Sequence, residues 1–143
     1  MDNTAPQIIA LYHHPETPLE GQEVKVFVNI TDMSGVKNAT ILFKVNDGEI
    51  WFNATMSYNS STRLFEGTIP EMPAGTTISY IVVIYDNLEN VAIGDNEGEY
   101  YIYTVIHEFP TLTVLLLSFL LFAIILILTQ KPQRFNNSSL LLK

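Results

Sequence analysis

The 143-residue chain contains no cysteine, so neither a disulfide framework nor thiol chemistry is open to it. Many exported eukaryotic modules of this size depend on disulfides, and their absence points to an archaeal or bacterial envelope. Basic residues are scarce as well: seven Lys and Arg stand against fifteen Asp and Glu. All the acids lie at or before Glu108, beside only Lys25, Lys37, Lys44 and Arg63, which leaves that part at a net charge of −11. So acidic a body repels phosphate backbones, which excludes nucleic acid as a partner and makes divalent cations better company. A Ser-containing nucleophile elbow, a Gly-rich phosphate loop and a His beside a carboxylate partner are missing too, so no enzyme is expected.

Charge is absent from one long stretch. Phe109 to Thr129 runs for 21 residues with only Thr111, Thr113 and Ser118 as polar interruptions. At about 1.5 Å per residue this is roughly 30 Å of helix, the thickness of a bilayer's hydrocarbon core. The expectation is one transmembrane helix over residues 110–129, with Pro110 in its first turn. Lys131, Arg134 and Lys143 follow without an acid, which places a short basic tail, 130–143, in the cytoplasm and the acidic domain outside the plasma membrane. The helix holds no ionisable residue and no pair of glycines for close dimerisation, so it reads as an anchor and not as a transport path. The join, 106–109, is short, and Tyr101, Tyr103, His107 and Phe109 suit the headgroup layer. Met1 to Gln7 lacks the basic and apolar regions of a secretory signal. The expectation is either a cleaved leader or the base of a longer surface protein.

Residues 1–105 carry no helical period. They break into short alternating stretches closed by turn residues, at the spacing of a seven-stranded β-sandwich. Val24, Val26, Val28 and Ile30 alternate with Lys25, Phe27, Asn29 and Thr31 as a strand with one buried face requires. Ile41, Phe43 and Val45 give the inner row of the next strand, and Asn46-Asp47-Gly48 supplies a tight hairpin turn. Further strands are expected at Gln7–Tyr12, Ile50–Tyr58, Leu64–Ile69, Ile78–Tyr85 and Tyr100–Val105, with a long polar loop from Asp86 to Gly98.

Within this frame Gly48, Trp51, Met56, Phe65, Gly67, Ile69-Pro70, Pro73-Ala74-Gly75-Thr76, Tyr80, Asp86-Asn87 and Asn90 form a spaced set. The set resembles the fibronectin type III-like and bacterial Ig-like modules repeated in archaeal and bacterial surface proteins. Asp2-Asn3-Thr4-Ala5-Pro6 is similar to the linker that precedes such modules. The resemblance implies an Ig/fibronectin III-like sandwich serving as spacer, stalk or adhesion unit. Leu88-Glu89 departs from it, standing where the family often has Ala-Gly.

Four N-x-S/T acceptors, Asn29, Asn38, Asn53 and Asn59, are candidate glycosylation sites, with polar strand filler as the alternative. Asp86, Asp95 and Glu97 gather oxygen ligands of the kind calcium takes, though without the spacing of a known calcium loop, and an acidic, solvated turn is the favoured reading of them. His13 and His14, adjacent on a strand, point to opposite faces and make a poor metal pair. Trp51 is either a packing residue or a platform for a sugar ring.

The expected function is a non-catalytic, membrane-proximal spacer that anchors a surface protein or assembly, with the membrane and other envelope proteins as partners. An adhesion or binding module for glycans or proteins is the alternative. The anchored end of a surface enzyme is a second alternative.

Overall fold

The structure, a computed structural model, describes residues 3–108 and 111–129, with side chains of the helix from Thr113 onward. The chain divides into two compact units at Glu108, and each is considered by itself.

The first unit is a β-sandwich of nine described strands. One sheet runs in the order β1 (Gln7–His14), β2 (Val24–Thr31), β6 (Leu64–Ile69), β5 (Ser57–Asn59). The other runs β4 (Phe52–Thr55), β3 (Val36–Val45), β7 (Thr77–Asp86), β8 (Val91–Gly94), and β9 (Tyr101–Thr104) also pairs with β7. Every named pair is antiparallel. The core comes from the inner rows that period-two alternation defines. Val24, Val26 and Val28 of one sheet meet Ala39, Ile41, Phe43, Ile78, Tyr80, Val82 and Ile84 of the other, all buried. Each such aliphatic side chain contributes roughly 1.5–3 kcal/mol when fully removed from water.

The expected count of seven strands is corrected to nine, for two reasons. The stretch read as one strand from Ile50 to Tyr58 is two strands in different sheets. The chain crosses at Met56, whose amide donates to the Ala39 carbonyl at 2.9 Å while its side chain is buried. The loop after Asp86 contains β8, in which Val83 pairs with Ile93 and Tyr85 with Val91. The hairpin turn stands as expected: Asn46 and Asp47 have φ of 51° and 53°, and the Gly48 amide donates to the Val45 carbonyl at 2.9 Å.

The sheets pack closely at Gly67. A Cβ there would lie 2.7 Å from Ile41 Cδ1 and 2.9 Å from Met56 Cγ, so only glycine leaves room for both side chains. Tyr103, read as a headgroup residue, instead faces inward from β9 and is buried, while Tyr101 packs against the core and stacks on Tyr80.

The second unit contains α1 (Thr111–Thr129), whose described Leu, Ile, Val and Phe side chains are exposed on every side. Among the described residues no helix is long and apolar enough to cross a membrane. This corrects the transmembrane helix expected over 110–129. The single-pass placement, with the domain outside a plasma membrane and the tail inside, is corrected with it. Pro110 and the tail 130–143 lie outside the described residues.

Candidate functional site

Because Val24, Val26 and Val28 point into the sandwich, Lys25, Phe27 and Asn29 must stand on the outer face of β2. Strand register then decides what stands beside them. Tyr12 of β1 is the partner of Phe27, Phe27 of Glu66 in β6, and Glu66 of Ser57 in β5. One straight row, Tyr12–Phe27–Glu66–Ser57, therefore crosses all four strands of the sheet on its outer face. A second row, His14–Lys25–Thr68, runs beside it by the same register.

The first row changes character along its length. At the β1 end the Tyr12 and Phe27 rings stack, with centroids 5.1 Å apart and planes 19° from parallel. An open hollow of about 730 Å³ adjoins them, lined also by His14 and Glu16. At the β5 end lies a polar hollow of about 450 Å³ lined by Lys25, Ser57, Asn59, Glu66 and Thr68. There the carboxylate of Glu66 is held in place: it accepts from the Asn59 side-chain amide at 2.9 Å and from the Thr62 hydroxyl at 2.6 Å. An apolar ledge thus continues into fixed donors and acceptors, and Lys25 and Glu66 bring both charge signs to one patch. Such a surface offers ring contact and hydrogen bonding together.

Beneath β1, His13 points the other way, into the space between the sheets. Its Nδ1 lies 2.8 Å from the Tyr80 hydroxyl, and its ring is 5.1 Å from that of Tyr103. Burial lowers the His13 pKa, against the opposing pull of the Glu16 carbonyl and carboxylate. Burial likewise raises Tyr80, helped by Tyr101 and Tyr103, and raises Tyr103. His13 Nε2 and the Tyr103 hydroxyl are buried without a hydrogen-bond partner.

Trp51 is no core residue. Met56 is buried and Ala54 half-buried, whereas Phe52, stacked on Phe43, is 47% exposed and Trp51 is 41% exposed, edge-on to Tyr100 at 5.5 Å. Lys44 Nζ lies 4.8 Å from the Tyr100 ring and 5.8 Å from the Trp51 ring. The Lys44 ammonium thus stands over both rings, a cation–π contact that competes with a sugar for those faces.

The calcium residues do not converge. Asp86 is buried, and its carboxylate serves the turn after β7: Oδ1 accepts from the Leu88 and Asn90 amides, each at 2.8 Å, and Oδ2 from the Asn90 side chain at 2.7 Å. Burial pushes its pKa up, but these donors and the Ser34 hydroxyl outweigh it and hold the carboxyl below its ordinary value. Asp95 and Glu97 belong to the separate turn before β9. Among the described residues no three His, Asp or Glu come together as a metal cluster.

The acceptor asparagines divide between the two sheets. Asn38 and Asn53 are exposed on the outer face of the β4-β3-β7 sheet, opposite Tyr85 and Leu42. Asn29 is half-buried on the other sheet. Asn59 there has both side-chain atoms engaged, since its Oδ1 accepts from the Ser61 amide at 2.9 Å while its nitrogen donates to Glu66. Sequence alternation had already turned Phe27 outward. It could not find Tyr12 beside it, because that neighbour is set by strand register.

No family model and no curated protein matches the chain. Among solved structures it is similar to a bromine derivative of BhCBM56, a carbohydrate-binding module, with 18% identity and a TM-score of 0.45 over 66% of this chain and 97% of that one. It is also similar to an uncharacterized protein from Listeria monocytogenes EGD-e in complex with α-D-glucose, β-D-glucose, magnesium and calcium. There the identity is 15% and the TM-score 0.48, over 65% of this chain and 9% of that one. At these identities the likeness is one of β-sandwich fold alone.

Proposed function

We propose that the sandwich is a non-catalytic glycan-binding module whose binding surface is the outer face of the β1-β2-β6-β5 sheet. Support comes from the row Tyr12–Phe27–Glu66–Ser57, which sets stacked rings in line with hydrogen-bonding groups. Carbohydrates have apolar ring faces edged by hydroxyls, so a ligand of this kind uses both halves of the row. The sugars named with the two neighbouring structures are not what carries this assignment; the face itself is. A spacer role would leave the aligned row and its fixed carboxylate unexplained. The proposed surface does not draw on Asp86, whose oxygens accept from the Leu88 and Asn90 amides and the Asn90 side chain.

The test is co-sedimentation of the full chain, in mild detergent because its helix is apolar all round, with a panel of insoluble neutral polysaccharides. Retention on at least one of them is expected, weakened about tenfold or more by Tyr12→Ala with Phe27→Ala and unaffected by Trp51→Ala. No retention on any polysaccharide, or retention that survives loss of both rings, would sink the proposal.

A further inference from the structure

We infer that the ligand is an extended, uncharged oligosaccharide lying across the strands, along the row from Tyr12 to Ser57, and not a single sugar held at one end. This inference rests on the glycan-binding assignment and goes beyond it by giving the ligand's length, direction and charge.

Length follows from register. Tyr12, Phe27, Glu66 and Ser57 are successive Cα partners on adjacent antiparallel strands. Partners of this kind stand 4.5–5.5 Å apart, so the three steps cover about 15 Å. Both ends of the row open into hollows, of about 730 Å³ beside the rings and about 450 Å³ beside Ser57. Neither is an enclosed cavity shaped to a single ring; they are the two ends of one track.

Direction follows from chemistry. The β1 end presents ring surface, where Tyr12 is 47% exposed. The β5 end presents the Ser57 and Thr68 hydroxyls, the Lys25 ammonium and the Glu66 carboxylate. A short ligand can use one set or the other; only a longer one engages both.

Charge follows from balance. Lys25 and Glu66 both line the polar hollow, so one charge of each sign stands there, and Glu16 lines the hollow beside the rings. An acidic chain would meet Glu66 and Glu16, and a basic one Lys25, so each would bury a like-charge contact. A neutral chain meets neither penalty.

The experiment measures affinity of the full chain for neutral glucose oligomers, in α and β linkage, from monomer to hexamer, by calorimetry or affinity electrophoresis. Affinity is expected to rise by about tenfold or more between the monomer and an oligomer long enough to reach Ser57, then to level off. Ser57→Ala with Thr68→Ala, both on the surface, is expected to weaken the hexamer more than the monomer; circular dichroism confirms the fold. Equal affinity at every length, or equal weakening at every length, would overturn the extended ligand while leaving the glycan-binding assignment intact. Tighter binding of a uronic acid oligomer than of its neutral counterpart would overturn the charge assignment. Failure to bind any sugar would remove the glycan-binding assignment itself.

Discussion

His13 Nδ1 and the Tyr80 hydroxyl meet at 2.8 Å across the gap between the two sheets, joining edge strand β1 to central strand β7. The histidine is kept neutral there, because burial lowers its pKa further than Glu16 can restore it. Above pH 6.5, the ordinary histidine value, the group is neutral in both folded and unfolded chains and gives stability no pH dependence. Below that value the unfolded chain takes up a proton that folded His13 refuses, so stability falls until the folded pKa is reached. Thermal melts between about pH 7.5 and pH 4.5 should show this decline, and His13→Phe should flatten it. A decline unchanged in the variant would exclude His13 as its source.

The two tyrosine hydroxyls around His13 should behave oppositely. Tyr80 has a partner, so Tyr80→Phe strands the imidazole nitrogen in the interior and is expected to cost about 1–3 kcal/mol. The Tyr103 hydroxyl has none, so Tyr103→Phe removes a desolvated group that gains nothing and should leave stability equal or higher. Denaturant unfolding of the two variants side by side checks this. A larger loss for Tyr103→Phe than for Tyr80→Phe would contradict it.

Gly67 is a packing requirement. A methyl group there would press on Ile41 Cδ1 at 2.7 Å and Met56 Cγ at 2.9 Å, and both neighbours are buried. Gly67→Ala is expected to lose roughly 1–3 kcal/mol through overpacking. Ile41→Val, which deletes the Cδ1 atom, should be less harmful in the Gly67→Ala background than alone. A double-mutant cycle in urea reads that coupling, and simple additivity would refute the contact.

Much of the sandwich is legible from local alternation. Val24, Val26 and Val28 announce their burial, and the residues between them announce their exposure. The parts that are not legible depend on contacts far apart in sequence. Nothing near Met56 signals a change of sheet, because the cause is a buried site over Gly67 and a hydrogen bond to Ala39. Val91 to Gly94 sits among turn residues and becomes a strand because the free edge of β7 is there to pair with it. Tyr101 and Tyr103 look like interfacial aromatics beside an apolar run, yet they fill the space that His13 and Tyr80 leave in the core. The binding face has the same origin. Phe27 can be turned outward from sequence alone, whereas its alignment with Tyr12, Glu66 and Ser57 is a product of register.

Asp86 ends β7 as a cap, a role that predicts different chemistry from that of a metal ligand. Its three accepted bonds, from the Leu88 amide, the Asn90 amide and the Asn90 side chain, close the turn that leads into β8. Asn90 also returns its carbonyl to the Asp86 amide at 3.1 Å. The burial cost that raises the pKa is outweighed by these donors and the Ser34 hydroxyl, so the folded value lies below the ordinary 3.8. The stabilisation is therefore complete above pH 3.8 and is lost as the pH falls through the lowered folded value, a window well below that of His13. Asp86→Asn sets an amide donor against the Asn90 amide and is expected to lower Tm by several degrees at neutral pH, with a smaller further loss on acidification than the wild-type chain shows. Millimolar calcium should leave the Tm of both unchanged. A calcium-dependent rise in the wild type that Asp86→Asn abolishes would mean that the carboxylate leaves its amides for a metal, and would refute the cap.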